Sequence, residues 1–357
     1  MKKYYIFQDE KSQKFWIIEN DALKITTHYG RIGTNGQIKI KDLQTQEEAD
    51  KEFTKLINQK VKKGYVETNQ ENIFNSKDES KRYALSCDEV WDDEKGIEDL
   101  ILKIKKDKKI ENYKHITIGM WGEGYEDDCQ PLLDYFVENK DTFNNLETLF
   151  IGDMDYEECE VSWIEQGDYT EIFKSLTNLK KIKIKGANNL KLSPINHEKL
   201  EHLEIICGGL PKTIFSELSQ SNLPNLKTLI LYMGIEDYGF DGSIEDIKLI
   251  LKKELFPSLE NLELINSNLE DEIVEEVLNS NILSQLETVS FSYGTLTDKG
   301  GATILNNIDK CENLKKITIE YHYLSKEMEK ELKGKLSNIT ISNREDEDEW
   351  KTPMLTE

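Results

Sequence analysis

The chain has 357 residues, 37% apolar and 32% charged, and its 46 Lys and Arg against 69 Asp and Glu give a formal net charge of −23. That length suggests two domains, and no apolar run approaches the roughly 18 residues of a membrane span. Five scattered cysteines (87, 129, 159, 207 and 311), with no CxxC pair, read as buried free thiols of a reducing, cytoplasmic setting and not as a disulfide framework.

The charge is unevenly spread. Residues 1–70 hold 13 basic and 10 acidic side chains, a net of +3, which leaves −26 for residues 71–357. Units of opposite sign point to different partners. The start turns polar after four apolar residues, short of a secretory leader. Four short runs then have strand character, at 4–7, 14–19, 23–27 and 38–40, and Asn35-Gly36 is a strong hairpin dipeptide because both positions tolerate positive φ. Thr45 and Glu48 make a capping-box pair. Ala49, Phe53, Leu56, Ile57 and Val61 follow on one helical face, and Gly64 supplies a stop. A small antiparallel sheet packed on one helix is the expected first domain, over residues 1–70. The polar stretch 71–81 reads as a linker.

Within that domain, Tyr29-Gly30-Arg31-Ile32-Gly33 and the following Gly36-Gln37 resemble the signature of the WGR (Trp-Gly-Arg) domain. Glu47-Glu48-Ala49 at the helix start and Lys60…Lys63-Gly64-Tyr65 at its close match the same family, so the resemblance covers about residues 1–67. Tyr29 stands where the family has its naming tryptophan. In poly(ADP-ribose) polymerases such domains contact the sugar-phosphate backbone near a DNA break through that Trp and the Arg. The resemblance therefore implies nucleic-acid contact by Tyr29, Gly30, Arg31 and Gly33. No polymerase-type domain follows, so poly(ADP-ribosyl)ation is not implied. The residues fit the role. Tyr29 and Arg31 lie two apart and share a face in extended chain; a ring stacks on a sugar or base, and a guanidinium clamps a phosphate. The competing reading makes Tyr29 a half-buried sheet residue and Arg31 a solvated or paired neighbour.

From residue 113 onward a LxxLxL frame recurs, starting at Tyr113, Leu146, Leu179, Leu200, Leu226, Leu259, Leu286 and Leu314. Eight such frames resemble a leucine-rich repeat array, which implies a solenoid with one strand of a parallel sheet per frame. The overall fold class is thus α/β: a small antiparallel sheet-plus-helix domain, then a repeat domain over 82–343. Several returns have helical pattern, at 244–255, 271–278 and 302–308. Residues 83–87 and 97–105 are expected to cap the array, Ile339-Thr340-Ile341 forms a last strand, and 344–357 is an acidic tail. Small residues at the ninth frame position (Ala187, Gly208, Gly234, Ser267, Gly294) suit a tight turn.

Two candidate partner surfaces emerge. Positions just after the third apolar frame residue line up as Ile206 and Cys207, Tyr232 and Met233, Ile265, Tyr293 and Tyr321. Aromatic and Met side chains on an exposed edge are typical of protein-binding cores; alternatively, adjoining loops fold over them. The loops Trp121–Asp128 and Asp153–Glu160 occupy equivalent repeat positions. They are expected to stack into an acidic, aromatic-edged patch, with Trp121, Glu123, Asp153 and Asp155 facing a basic protein.

Enzyme and metal signatures fail on spacing. His197 and His202 are five apart, which breaks the one-face geometry of a zinc helix. The Asp153-x-Asp155-x-Glu157 run lacks the glycine a calcium loop needs at its sixth position, where Glu158 stands. No cofactor is implied. The sequence therefore reads as a non-enzymatic adaptor, its first unit on nucleic acid and its acidic repeat scaffold on a protein. The alternative is a scaffold for proteins alone.

Overall fold

The computed structural model describes residues 2–8, 13–21, 23–31, 37–68, 79–345 and 350–356. The chain divides into two compact units, Met1–Arg82 with Asn112–His115, and Tyr83–Glu111 with Ile116–Glu357. The linker expected over 71–81 lies outside the described residues as far as 78, and Ser80 and Lys81 already belong to a strand. Gly33 and the Asn35-Gly36 turn also lie outside them.

The first unit holds strands β1 (Lys2–Gln8), β2 (Gln13–Asp21), β3 (Lys24–Arg31), β4 (Gln37–Asp42) and β5 (Val66–Thr68), in the antiparallel order β4-β3-β2-β1-β5. The fifth strand was not foreseen, because the sequence pattern stops at Gly64. Helix α1 (Gln46–Val61) starts as the punctuation requires. Glu48 N donates to Thr45 Oγ1 at 3.2 Å, and the Glu48 carboxylate accepts from Gln44 N, one residue earlier than a standard box. It stops at Gly64, whose φ of +83° is open to glycine at little cost. Alternation sends Tyr5, Trp16, Ile18 and Ile25 to one sheet face, where they bury against Ala49 and Phe53 of α1. Val61 departs from the expected stripe and is 51% exposed; the last turn turns Lys60 toward the sheet instead.

The second sheet has ten strands in simple chain order: β6 (Ser80–Tyr83), β7 (His115–Ile118), β8 (Thr148–Ile151), β9 (Lys181–Lys185), β10 (His202–Ile206), β11 (Thr228–Gly234), β12 (Asn261–Ser267), β13 (Thr288–Ser290), β14 (Lys316–His322) and β15 (Ile339–Arg344). Pairing from β8 to β15 is parallel throughout. Each of the eight sequence frames carries one strand. The register matches frame to frame, with Leu149 beside Ile182, Leu203, Leu229, Leu262, Val289 and Ile317 in succession. These positions and the apolar ones two residues on are buried, and the alternate residues face the other way. Helices fill several returns, among them Ile97–Lys105, Glu270–Asn279 and Asp298–Asn306. The helix expected over 244–255 is only Ile244–Lys248. Beyond it, Leu249, Ile250 and Leu251 donate to carbonyls three residues back, tightening the chain ahead of Pro257.

The strand exits correct one expectation. The turn is made at the eighth frame position by Gly186, Asn266, Tyr293 and Tyr321, with φ of +104°, +60°, +65° and +56°, and at the expected ninth position by Gly234, with φ of +73°. Side-chain size at the ninth position gave no hint of the eighth-position turns, since tyrosine disfavours the left-handed region.

Glu89 ties the start of this unit together. It closes a capping box with Ser86 on helix Cys87–Trp91 and pairs with Lys103 at 2.8 Å and Lys95 at 3.3 Å. The Lys103 bond first, then the Ser86 amide, hold its carboxyl down to about 2 against an ordinary 4.5. A depressed folded-state value adds stability above the unfolded value and loses it as pH falls toward 2. Solvent screens these half-exposed lysine pairs, so Glu89→Gln should destabilise the unit by only about 0.5–1.5 kcal/mol at neutral pH. The gap from the parent in urea midpoint should close between about pH 4.5 and 2; a gap that persists at pH 2 would contradict the assignment.

Candidate nucleic-acid interface and partner surface

Cross-strand register builds the first site. Tyr29 lies opposite Trp16 on β2 and Gln37 on β4, and Arg31 lies opposite Lys14. Alternation places Tyr29 and Arg31 on the face that also carries Trp16, Lys14 and Lys39. Gly30 takes the other face, opposite Phe15. The β3–β4 register ends at Tyr29–Gln37, so Gly30 and Arg31 run on past the paired part of β4.

Tyr29 is half-buried against the α1 core, with its hydroxyl 3.4 Å from Gln37 Oε1, while Arg31 is exposed. Lys39 Nζ stands 5.6 Å from the Tyr29 ring centre. Lys60 Nζ, delivered by the end of α1, sits 4.5 Å from Tyr65, 5.7 Å from Trp16 and 5.9 Å from Tyr29. An ammonium ringed by three aromatic faces is held by their quadrupoles. Partial burial, followed by repulsion from Lys63 and Lys14, lowers the Lys60 pKa. The local field is therefore positive around a half-open tyrosine and an exposed guanidinium. Sequence reasoning found Tyr29 and Arg31 but gave Lys14, Lys39 and Lys60 no role at the site. Their signal was present as register, which needs the hairpins to be aligned.

The second unit treats its candidate residues unequally. Tyr232 and Tyr293 come together as stacked rings 6.3 Å apart at 12°, in a cluster with Val161, Ile206 and Ile265. Met233 does not join them. It is fully buried, because alternation along β11 turns the eighth frame position inward, as it does for Cys207. The positive φ at Tyr293 reverses that rule and keeps its ring with the seventh-position residues. Tyr321, also at positive φ, lies edge-on to Tyr323 at 6.1 Å. The column is not an open edge. Residues 350–356, expected within an acidic tail, lie on it, with Leu355 packed on the Tyr232 cluster and Tyr232 only 4% exposed.

The two acidic loops do meet. A Cβ built on Gly124 would stand 3.3 Å from Met154 Sδ and 3.4 Å from Cys159 Sγ. Trp121 offers no surface, however. It is fully buried, with its indole N–H donating to Asp127 O at 2.8 Å. Glu123 and Asp153 are half-buried, and Glu123 accepts from the Tyr125 hydroxyl at 2.6 Å, a bond that raises that phenol to about 12. Asp155 is exposed and caps its own turn by accepting from Glu157 N and Glu158 N, both at 3.1 Å. Exposed Glu126, Asp127, Asp128, Asp155 and Glu157 make up the acidic surface. Among the described residues no group of three or more His, Cys, Asp or Glu is arranged to hold a metal ion.

The Lys60 arrangement makes a direct prediction. Lys60→Ala removes both the ammonium and the stem packed on the rings, at an expected cost of about 1–2 kcal/mol. In a thermal melt that reads as a fall of several degrees in the first unit's transition, and an unchanged transition would refute the packing role.

Residues 1–72 match the WGR domain family, which is associated with nucleic-acid binding. Two Escherichia coli (strain K12) proteins are similar over this part. The uncharacterised protein YfeS is 40% identical over 90 residues, which is 25% of this chain and 34% of YfeS. The protein YehF is 43% identical over 70 residues, 20% of this chain and 26% of YehF. The chain thus spans about a third and about a quarter of those relatives. A Bacteroides fragilis protein of known crystal structure is 43% identical, with 100% of both chains covered and a TM-score of 0.83. The chain belongs over its whole length to one family with that Bacteroides fragilis protein, and its N-terminal unit is a WGR domain.

Proposed function

We propose that the chain is a non-enzymatic, cytoplasmic adaptor. Its WGR domain touches a nucleic-acid backbone or end, and its second unit, a leucine-rich repeat solenoid, holds a protein. The observation that carries the first half is the convergence of Arg31, Lys14, Lys39 and Lys60 around Tyr29 on one sheet face. Guanidinium and ammonium groups around a ring of this kind suit a phosphate flanking a sugar or base. The positive charge is local, so the acidic remainder of the chain, at −26 over residues 71–357, is left to a basic protein partner. The leucine-rich repeat reading is supported by eight LxxLxL frames that each supply one strand to a parallel sheet in chain order. The acidic surface at Asp155 and Glu126 is the proposed protein contact, and the Tyr232–Tyr293 column becomes one only where residues 350–356 leave it. The cytoplasmic setting is in keeping with five free thiols, of which Cys129 and Cys207 are raised to about 12 by burial.

The alternative, protein binding by both units, draws on Ile38 and Ile40 of β4, which are 63% and 59% exposed on the sheet face away from Tyr29. Binding of the full chain to a nicked DNA duplex separates the two. The adaptor reading expects measurable affinity at low salt that falls steeply as salt rises. Arg31→Ala should weaken it about tenfold and reduce the salt slope by about one. No binding at low salt rejects nucleic-acid contact and leaves the protein-only reading.

A further inference from the structure

The segment Trp350–Thr356 crosses the exits of successive strands with neither helix nor strand of its own. Among the described residues, five hydrogen bonds engage its main chain. Tyr323 Oη donates to Thr352 O at 3.1 Å and accepts from Thr352 N at 3.2 Å. Met354 N donates to Tyr293 O at 2.8 Å. The fully buried Asn266 grips Leu355 at both ends, its Nδ2 donating to Leu355 O at 2.6 Å and its Oδ1 accepting from Leu355 N at 2.8 Å. An amide paired in this way recognises an extended backbone whatever its side chain.

The receptor surface is shaped for close approach. A Cβ at Gly208 would lie 2.4 Å from Thr356 O, so only glycine admits the chain there. Asn266 and Tyr293 both hold positive φ, a costly state for tyrosine that clusters at ligand clamps. Side-chain recognition is sparse. Pro353 is buried and Leu355 is half-buried on Ile206, Tyr232 and Ile265, whereas Trp350 is 82% and Met354 43% exposed.

We propose that this strip is a peptide-receptor site whose resident occupant is the chain's own segment 350–356. An extended Pro-x-Leu segment of a partner protein takes the same seat by displacing it. The inference rests on the reading of the second unit as a protein-holding scaffold and names the class of ligand. The backbone bonds transfer to any extended chain, and only the Pro and Leu positions select. Because occupation in cis competes with binding in trans, the resident segment masks the site until a partner reaches sufficient concentration.

The test uses a chain ending at Glu345, checked for a cooperative melt, beside the full chain. The probes are labelled synthetic peptides read by fluorescence anisotropy. One carries residues 350–356, a second keeps only the Pro and Leu on a serine background, and a third carries Leu355→Asp. If the shortened chain does not fold, the full chain with Pro353→Ser and Leu355→Asp serves as the opened receptor. The first two peptides should bind the opened receptor within about tenfold of each other and the full chain at least about tenfold more weakly. The third peptide should not bind, and Asn266→Ala in the receptor should abolish binding. If only the native-sequence peptide binds, the segment is a private part of the fold and the proposal is overturned. If no peptide binds while the full chain still retains a protein partner, the proposal falls and the scaffold reading stands; loss of both removes both.

Discussion

Main-chain hydrogen bonding between successive parallel strands is the constraint on which the second unit depends. Each strand must meet its neighbour in matching register, or a one-residue slip would turn its leucines out of the core. The frames meet that demand. The fourth and sixth positions bury, and the second position adds charges that pair across several neighbours, as in Lys180 with Glu147 at 2.9 Å and Lys227 with Glu201 at 2.7 Å. Such exposed pairs contribute little energy, but they favour the same alignment as the core.

That register has a consequence at the strand ends. Once the sixth positions are level, the exits are level too, and the residues that turn the chain form a continuous strip. At Gly186 the left-handed turn costs little, whereas at Tyr293 and Tyr321 it costs of order 1–3 kcal/mol each. The same turn aims the Tyr293 carbonyl at Met354 N and keeps its ring stacked on Tyr232. Strain, an aromatic column and a covering segment are therefore one arrangement. It also explains why Tyr232 and Met233, adjacent in sequence, have opposite fates: one underlies the covering segment and the other fills the core.

In the WGR domain the corresponding organiser is the row Tyr5, Trp16, Tyr29, Gln37 across four strands. Helix α1 covers its apolar part, and the helix's last turn brings Lys60 to the point where Trp16, Tyr29 and Tyr65 converge. Tyrosine in place of the family's tryptophan still packs on that core, and its hydroxyl reaches toward Gln37. Positive charge at this face thus comes from three strands and a helix, and so a modest net of +3 over residues 1–70 conceals a concentrated field.

Much was legible in the sequence because it depends on local periodicity. The WGR motif, the Thr45–Glu48 cap, the Gly64 stop and the position of every frame strand follow from spacing that neighbouring residues enforce by themselves. What the sequence left open concerns residues far apart in the chain. Nothing local distinguishes Trp121, buried with its N–H on Asp127 O, from an exposed aromatic. Lys60 and Tyr29 are 31 positions apart and meet only after the sheet and helix pack. Above all, Asn266 and Leu355 are separated by 89 residues, and a two-ended amide grip between them carries no periodicity to read. The sequence by itself determined that there are two units of opposite charge, and it located the first four strands and every frame strand, though not β5 or β6. Tertiary structure alone decided which candidate side chains reach a surface and that the aromatic column is already occupied, because burial and long-range hydrogen bonding are properties of the packed chain.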